Sequence, residues 1–453
     1  MVETPRPRAV REHPKAGWLA VGTVCFGAFM GQLDASIVTL TFPALQHEFA
    51  TPLAAVQWVS LAYLLTLVGL VTVAGRVADA LGRKLVYGYG FAVFTLASAA
   101  CGLAPGLGWL IGFRVLQALG AAMLQANSVA LVVTSVRRDQ ARTALGVQAA
   151  AQALGLALGP ALGGLLVDTA GWRWVFWVNV PIGCLALLAG RFLLPRTQER
   201  TPLGRFDWPG LGLLLLTTTS VLLLLSGFSG LGLPTWAVVT LAIGFVVGAV
   251  LLYLTERRTA NPLVDLSVLR PRAVWAGLAG ALCGYLVLFG PLTLFPQVLG
   301  AHAGLVLTAL PAGFALAALT AGKVVPPGWP TRARATLGAA ISVLGVGSLL
   351  LAGSTPLAVG MLLALTGAGL GVFIPANNAA IMAAIPRRMS ATGGGLVNMA
   401  RGLGTALGIA LVTFCLNLGS GGLGTLSALG AMAAVAVLMG LTGLLLRPAG
   451  ANR

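Results

Sequence analysis

The sequence predicts an all-α integral membrane protein that crosses the bilayer many times. Of its 453 residues, 58% are hydrophobic and only 9% charged, against roughly 25% charged in a soluble domain, and the mean hydropathy is +0.93. So few charges cannot cover a water-facing surface, whereas in a bilayer each unpaired charge is costly and their scarcity is required. Glycine, at 61 residues, has about twice its usual share, as expected where helix backbones approach closely in lipid. The third observation is run length. About 20 apolar residues cross the hydrocarbon core, and the chain divides into fourteen such runs.

The polar, basic stretch 1–16 reads as a cytoplasmic tail. The run after it, 17–40, is too long for a signal-peptide core, contains Asp34 and ends at no small-residue cleavage site, so it reads as a retained first span. Further spans fall at 54–74, 85–104, 107–134, 142–167 and 174–195, completing an N-terminal six-helix bundle over 17–195. Residues 196–272 hold two additional spans, 208–228 and 235–255, between polar borders RTQERTPLGRFD and ERRTANPLVDLSVLRPR. A C-terminal six-helix bundle over 273–446 follows, with spans at 273–296, 303–323, 335–353, 357–384, 391–417 and 424–446, and 447–453 forms a second tail. Basic residues test this division. With the N-terminus inside, twenty-five of the 28 Lys and Arg fall on cytoplasmic segments, leaving Arg173 outside and Arg114 and Arg401 within spans. The positive-inside rule therefore favours an even number of spans with both termini cytoplasmic. Gly322-Lys323 followed by Arg332 and Arg334 repeats in the second bundle, without an acid, the placement of Gly75-Arg76 and Arg83-Lys84 in the first.

Other classes are disfavoured. The net charge of +17 is spread in short clusters between apolar runs, not gathered into a nucleic-acid face. Cys25, Cys101, Cys184, Cys283 and Cys415 lie in apolar stretches without CxxC spacing and read as small buried hydrophobes. His13, His47 and His302 sit outside the apolar runs with no metal-ligand spacing. No nucleophile–base pattern, phosphate-binding loop or repeated filter element is present, which speaks against a membrane enzyme, an ATP-driven pump and a channel.

Five elements carry chemistry. In the first span, Leu33-Asp34-Ala35-Ser36-Ile37-Val38-Thr39-Leu40-Thr41-Phe42-Pro43 holds the one acid deep within any span. An intramembrane carboxylate is a functional hypothesis by default, the alternative being a structural carboxylate paired with a helix dipole or an Arg. Between spans two and three, Gly75-Arg76-Val77-Ala78-Asp79-Ala80-Leu81-Gly82-Arg83-Lys84 mixes glycines, one acid and three bases in a short turn. The fourth span contains Arg114-Val115-Leu116-Gln117-Ala118-Leu119-Gly120. Its Arg needs a partner or water, and Asp34 is the nearest available acid. Burial favours a neutral carboxyl and a close guanidinium an ionised one, so alternating access between the two sides would load and unload a proton. In the fifth span, Gly155, Gly159 and Gly163 recur at i, i+4 and i+8 and make a bare stripe, with Pro160 kinking the helix and Gly164 beside it. Trp172-Arg173-Trp174-Val175-Phe176-Trp177-Val178-Asn179-Val180-Pro181-Ile182-Gly183 opens the sixth span with aromatics suited to a membrane interface. Tyr63, Gln117, Asn127, Gln148, Gln152, Tyr285, Phe289, Asn377 and Arg401 are candidates to line a substrate cavity. Arg401 has no intramembrane acid near it in sequence and could serve helix packing, pair with carbonyls, or meet an anionic group on a substrate or lipid.

The turn at 75–84 resembles the signature loop of the major facilitator superfamily. The fourth-span and fifth-span elements resemble those of its drug/proton antiporters, and the first-span and sixth-span elements those of its fourteen-helix drug/proton antiporter family (EmrB/QacA-type multidrug exporters). Thr39, Thr41 and Phe42 depart from the usual first-span pattern. The resemblance implies a major facilitator fold, and a latch at Gly75, Asp79, Gly82, Arg83 and Lys84 that closes the cytoplasmic side. It also implies export driven by the proton gradient without a cofactor, with Asp34 and Arg114 as the proton-coupling pair. Expected partners are a lipophilic or amphipathic small molecule such as a drug or antibiotic, protons and membrane lipids, with a monomer in the cell (plasma or inner) membrane. A dedicated exporter or flippase of one metabolite or lipid is the alternative.

Overall fold

A computed structural model of the chain describes residues 7–137, 140–197, 207–259, 262, 269–299, 303–324, 329–351, 355–385, 390–419 and 422–446. His302, the 447–453 tail, and the loop bases Arg6, Arg138, Arg200, Arg205, Arg387, Arg388, Arg447 and Arg453 lie outside the described residues. A short helix, α1 (Arg8–Arg11), precedes α2 (Ala16–Ile37). The first span is longer than its apolar run suggests, because a 3-10 turn, Val38–Thr41, carries it into α3 (Phe42–Phe49). Ser36, Thr39 and Thr41 donate to the carbonyls of Gln32, Ser36 and Val38, folding their hydroxyls back onto their own helix turns. His47, outside the apolar runs, is an exposed residue of α3.

A short α4 (Leu53–Val56) leads into α5 (Trp58–Leu81), then α6 (Arg83–Gly102), α7 (Leu107–Ser135) and α8 (Ala141–Ala170). The helix α8 runs through Pro160 as one element. Next come α9 (Trp174–Trp177) and α10 (Asn179–Leu193), then α11 (Trp208–Ser226), which loosens at Gly227–Leu231, and α12 (Thr235–Arg258). The remaining helices are α13 (Arg272–Leu299), α14 (Ala303–Val324), α15 (Thr331–Leu349), α16 (Pro356–Ala384), α17 (Ser390–Leu418) and α18 (Gly422–Leu445). Fourteen spans were expected; among the described residues, thirteen helical runs are long and apolar enough to cross a membrane. The run that falls short is α15, whose first turn carries Arg332 and Arg334.

The chain forms two units, one of residues 1–49 and 58–206, the other of 50–57 and 207–453. Within the first, α2 packs along α8, α7 and α10, while α6 packs on α7 and α10, and α5 on α7. Within the second, α13 packs along α17, α16 and α18, while α15 packs on α16 and α18, and α14 on α16. These are the same six pairings in the same helix order, so the internal repeat that is faint in sequence is plain in packing. The additional helices α11 and α12 pack on each other, and α11 also meets α17 of the second unit. Val239, Ile243, Val246 and Val250 leave α12 with exposed apolar faces, as lipid contact requires. Lipid also explains Cys184, which is exposed on α10 and not buried as its apolar surroundings suggested. An apolar run in a membrane marks both the core-facing and the lipid-facing side.

Candidate functional site

Asp34 lies on α2, wholly buried, as is Arg114 on α7. The Arg114 Nη1 donates to Asp34 Oδ2 at 2.6 Å and to Gln117 Oε1 at 2.5 Å, and its Nε donates to the Val59 carbonyl on α5 at 2.9 Å. The i, i+3 spacing on α7 places Arg114 and Gln117 on one face. Gln117 Nε2 donates to Asp34 Oδ1 at 2.9 Å and to Ser98 Oγ on α6 at 2.8 Å. Asn179, the first residue of α10, donates its amide to Asp34 Oδ1 at 3.3 Å. The guanidinium stands 4.0 Å from the Tyr63 ring centroid and 5.8 Å from that of Phe176, a cation–π enclosure that partly replaces lost water. Five long helices of one unit thus converge on a single carboxylate.

The chemistry follows from donor directions. Asp34 accepts three hydrogen bonds and all three partners donate, a set matched to a carboxylate. Oδ1 takes the two amide donors and Oδ2 the guanidinium, so both carboxylate oxygens are occupied. Removing one member of a buried pair leaves an uncompensated charge, a cost of about 3–5 kcal/mol.

The glycine stripe of α8 is seated against the same stretch of α2. A Cβ on Gly155 would collide with the Phe29 carbonyl, one on Gly159 with the Ser36 hydroxyl, and one on Gly163 would come within 2.8 Å of Ile37 Cγ1. Bare glycines thus let α8 touch the α2 backbone on both sides of Asp34; Gly164 is half-buried.

In the 75–84 turn, Gly82 holds φ 119 between α5 and α6, a conformation strained for any residue with a Cβ. It brings Arg83 back onto Asp79, Nη2 to Oδ1 at 2.9 Å. Lys84 is buried and donates to the Leu194 carbonyl at 2.8 Å. A Cβ on Gly75 would make only ordinary contact with Ala126.

Among the cavity candidates, Tyr63 and Gln117 belong to the Asp34 cluster. Asn127 donates to the Met123 carbonyl of its own helix, Gln148 is buried with its Nε2 unpartnered, and Gln152 is half-buried on α8. In the second unit Asn377 donates to the Gly277 carbonyl, tying α16 to α13, while Tyr285 stacks on Phe289 and lies 4.7 Å from the Arg401 guanidinium. Sequence reasoning assigned no role to Asn179 or Ser98; a polar residue two before Pro181 was the one available signal for Asn179. It also left Glu48 without a partner. Glu48 accepts from Trp172 Nε1 at 2.6 Å and from Arg173 Nη2 at 2.8 Å, clamping the end of α3 to the α8–α9 turn.

Long apolar helices enclosing a sealed ion pair mark a multi-pass membrane protein. A family model, the Major Facilitator Superfamily, matches residues 24–409, and the chain belongs to that family. It is 29% identical over 405 residues to the riboflavin transporter RibZ of Clostridioides difficile, covering 87% of each chain. It is 31% identical over 399 residues to the multidrug resistance protein Stp of Mycobacterium tuberculosis, covering 85% of this chain and 73% of that one. The crystal structure of a POT family transporter in complex with a thioalcohol conjugated peptide superposes with a TM-score of 0.73 at 14% identity, covering 96% and 98% of the two chains. That likeness is one of fold.

Proposed function

We propose that the protein is a proton-coupled antiporter that exports amphipathic or lipophilic small molecules across the cell membrane. The observation that carries this reading is the Asp34 carboxylate, wholly buried and closed by Arg114, Gln117 and Asn179. In an alternating-access cycle, opening outward parts α2 from α7 and frees Asp34 to take a proton as substrate leaves. Opening inward restores the Arg114 contact and releases the proton inside. Likeness to Stp supports drug-like substrates.

The test is transport in proteoliposomes under an imposed pH gradient, with a panel of lipophilic cations, neutral antibiotics and lipids. Wild type should move substrate against proton flow, and Asp34→Asn should lose the gradient dependence. Gradient-driven uptake that survives in Asp34→Asn would remove Asp34 from the coupling, and transport without proton flux would end the antiport reading. Likeness to RibZ across most of both chains supports a second reading, a dedicated transporter of one metabolite. Response to a single member of the panel would favour it.

A further inference from the structure

From residue 266 onward the chain contains no Asp or Glu. The six helices α13 to α18 therefore offer no side-chain carboxylate, yet they carry Arg401. Arg401 stands eleven residues after Ser390, the start of α17, and seventeen before its end at Leu418. At 1.5 Å per residue it lies ~16 Å from one end and ~25 Å from the other, too deep for its stem to reach the aqueous boundary. Among the described residues it has one hydrogen bond, from Nη1 to Asn398 Oδ1 at 3.4 Å. Its guanidinium sits over Tyr285 at 4.7 Å, and Tyr285 stacks on Phe289 with centroids 6.4 Å apart. The side chain is half-buried, which leaves its other N–H donors within reach of a ligand.

The repeat sharpens the contrast. A Cβ on Gly155 would strike the Phe29 carbonyl of α2, and one on Gly404 would strike the Leu282 carbonyl of α13. Three residues before these matching contacts stand Gln152 and Arg401. A neutral amide in the first unit is replaced by a cation in the second, and no acid accompanies it. Arg114, by comparison, has Asp34 at 2.6 Å.

We infer that Arg401, Tyr285 and Phe289 form a recognition site for an amphipathic anion bearing an aromatic ring. The carboxylate, phosphate or sulfonate pairs with the open N–H edge of Arg401. The ring packs beside Tyr285, which Phe289 braces from behind. This assignment rests on the proposed exporter function and names its substrate class.

The test is equilibrium binding to the purified protein in nanodiscs, with 1-naphthoate, its neutral counterpart 1-naphthamide, and the ring-saturated acid cyclohexanecarboxylate as probes. Wild type should prefer naphthoate over naphthamide by roughly tenfold or more, the effect of one charge-assisted contact. Arg401→Gln should erase that preference and Arg401→Lys should retain part of it. Tyr285→Leu should weaken both naphthyl probes more than it weakens cyclohexanecarboxylate, and equal weakening of all three would overturn the aromatic part of the site. Equal binding or no binding of the naphthyl pair by wild type would overturn the inference. So would a preference that persists in Arg401→Gln with an unchanged Tm. A preference that vanishes when the nanodiscs contain phosphatidylglycerol would give the anion site to a lipid headgroup, again overturning it. Binding needs no proton gradient, so discrimination without Asp34-dependent flux sinks the coupling alone, and the converse result sinks this site alone.

Discussion

At Asp34 a carboxylate is held by three donors from two partner helices, and each donor has a different consequence. Arg114→Met should be the most damaging single change, since it strands a buried carboxylate at a cost of about 3–5 kcal/mol. The double variant Asp34→Asn with Arg114→Met should regain much of the lost Tm in detergent while remaining inactive in gradient-driven transport. A double variant no more stable than Arg114→Met would show that the stranded carboxylate is not the source of the loss. Gln117→Leu removes a donor to Asp34 and an acceptor for Arg114 without altering charge. It should leave binding intact and shift the pH dependence of transport, measured as initial rate against internal pH. The R-x-x-Q spacing made Arg114 and Gln117 visible in advance as neighbours on one helix face, and Asp34 as the nearest acid. That Gln117 bridges the pair, with Ser98 behind it, was not visible, because Ser98 sits in a run of small apolar residues that any packed helix could use.

Between elements, the glycine stripe of α8 sets how closely it approaches α2. Gly159→Val should lower the detergent Tm by the equivalent of about 1–3 kcal/mol, because its side chain would occupy the space of the Ser36 hydroxyl. Gly22→Ala on α2 has open space around it and should be silent in the same melt. Similar losses in the two variants would mean that close α2–α8 contact is not what the stripe provides. The clamp of Glu48 on Trp172 and Arg173 is partly exposed, so its ion pair should be worth under about 1 kcal/mol. The effects of Glu48→Ala and Trp172→Phe on Tm should be less than additive, because both remove the indole–carboxylate hydrogen bond. Pro43 and Pro181 mark in the sequence the first turns of α3 and α10. The pairing of Glu48 with a residue 125 positions later is not so marked.

For the molecule as a whole, the distribution of bases makes a topological prediction. A cysteine placed at Gly171 in a cysteine-free background should react with an impermeant thiol reagent from outside the cell. One placed at Gln140 should react only after permeabilisation. The opposite pattern would invert the orientation read from the loops. The repeat of six helix pairings between the units is a property of packing, and the two repeats diverge in charge. The first encloses an acid and a base together, the second a base alone.

Length and charge are one-dimensional properties, and their consequences can be read directly along the chain. The bilayer core demands runs of about 20 apolar residues, and an intramembrane charge is expensive enough to stand out wherever it occurs. The span positions and the prominence of Asp34, Arg114 and Arg401 are legible for that reason. Direction around a helix axis is not. In a membrane the lipid-facing and core-facing sides are both apolar, so no amphipathic stripe says which side turns inward. Three-dimensional packing alone reveals that Cys184 is exposed, that Asn179 reaches Asp34, and that Tyr63 lies under Arg114. Packing likewise rests Arg401, unlike Arg114, on an aromatic ring with no acid beside it among the described residues.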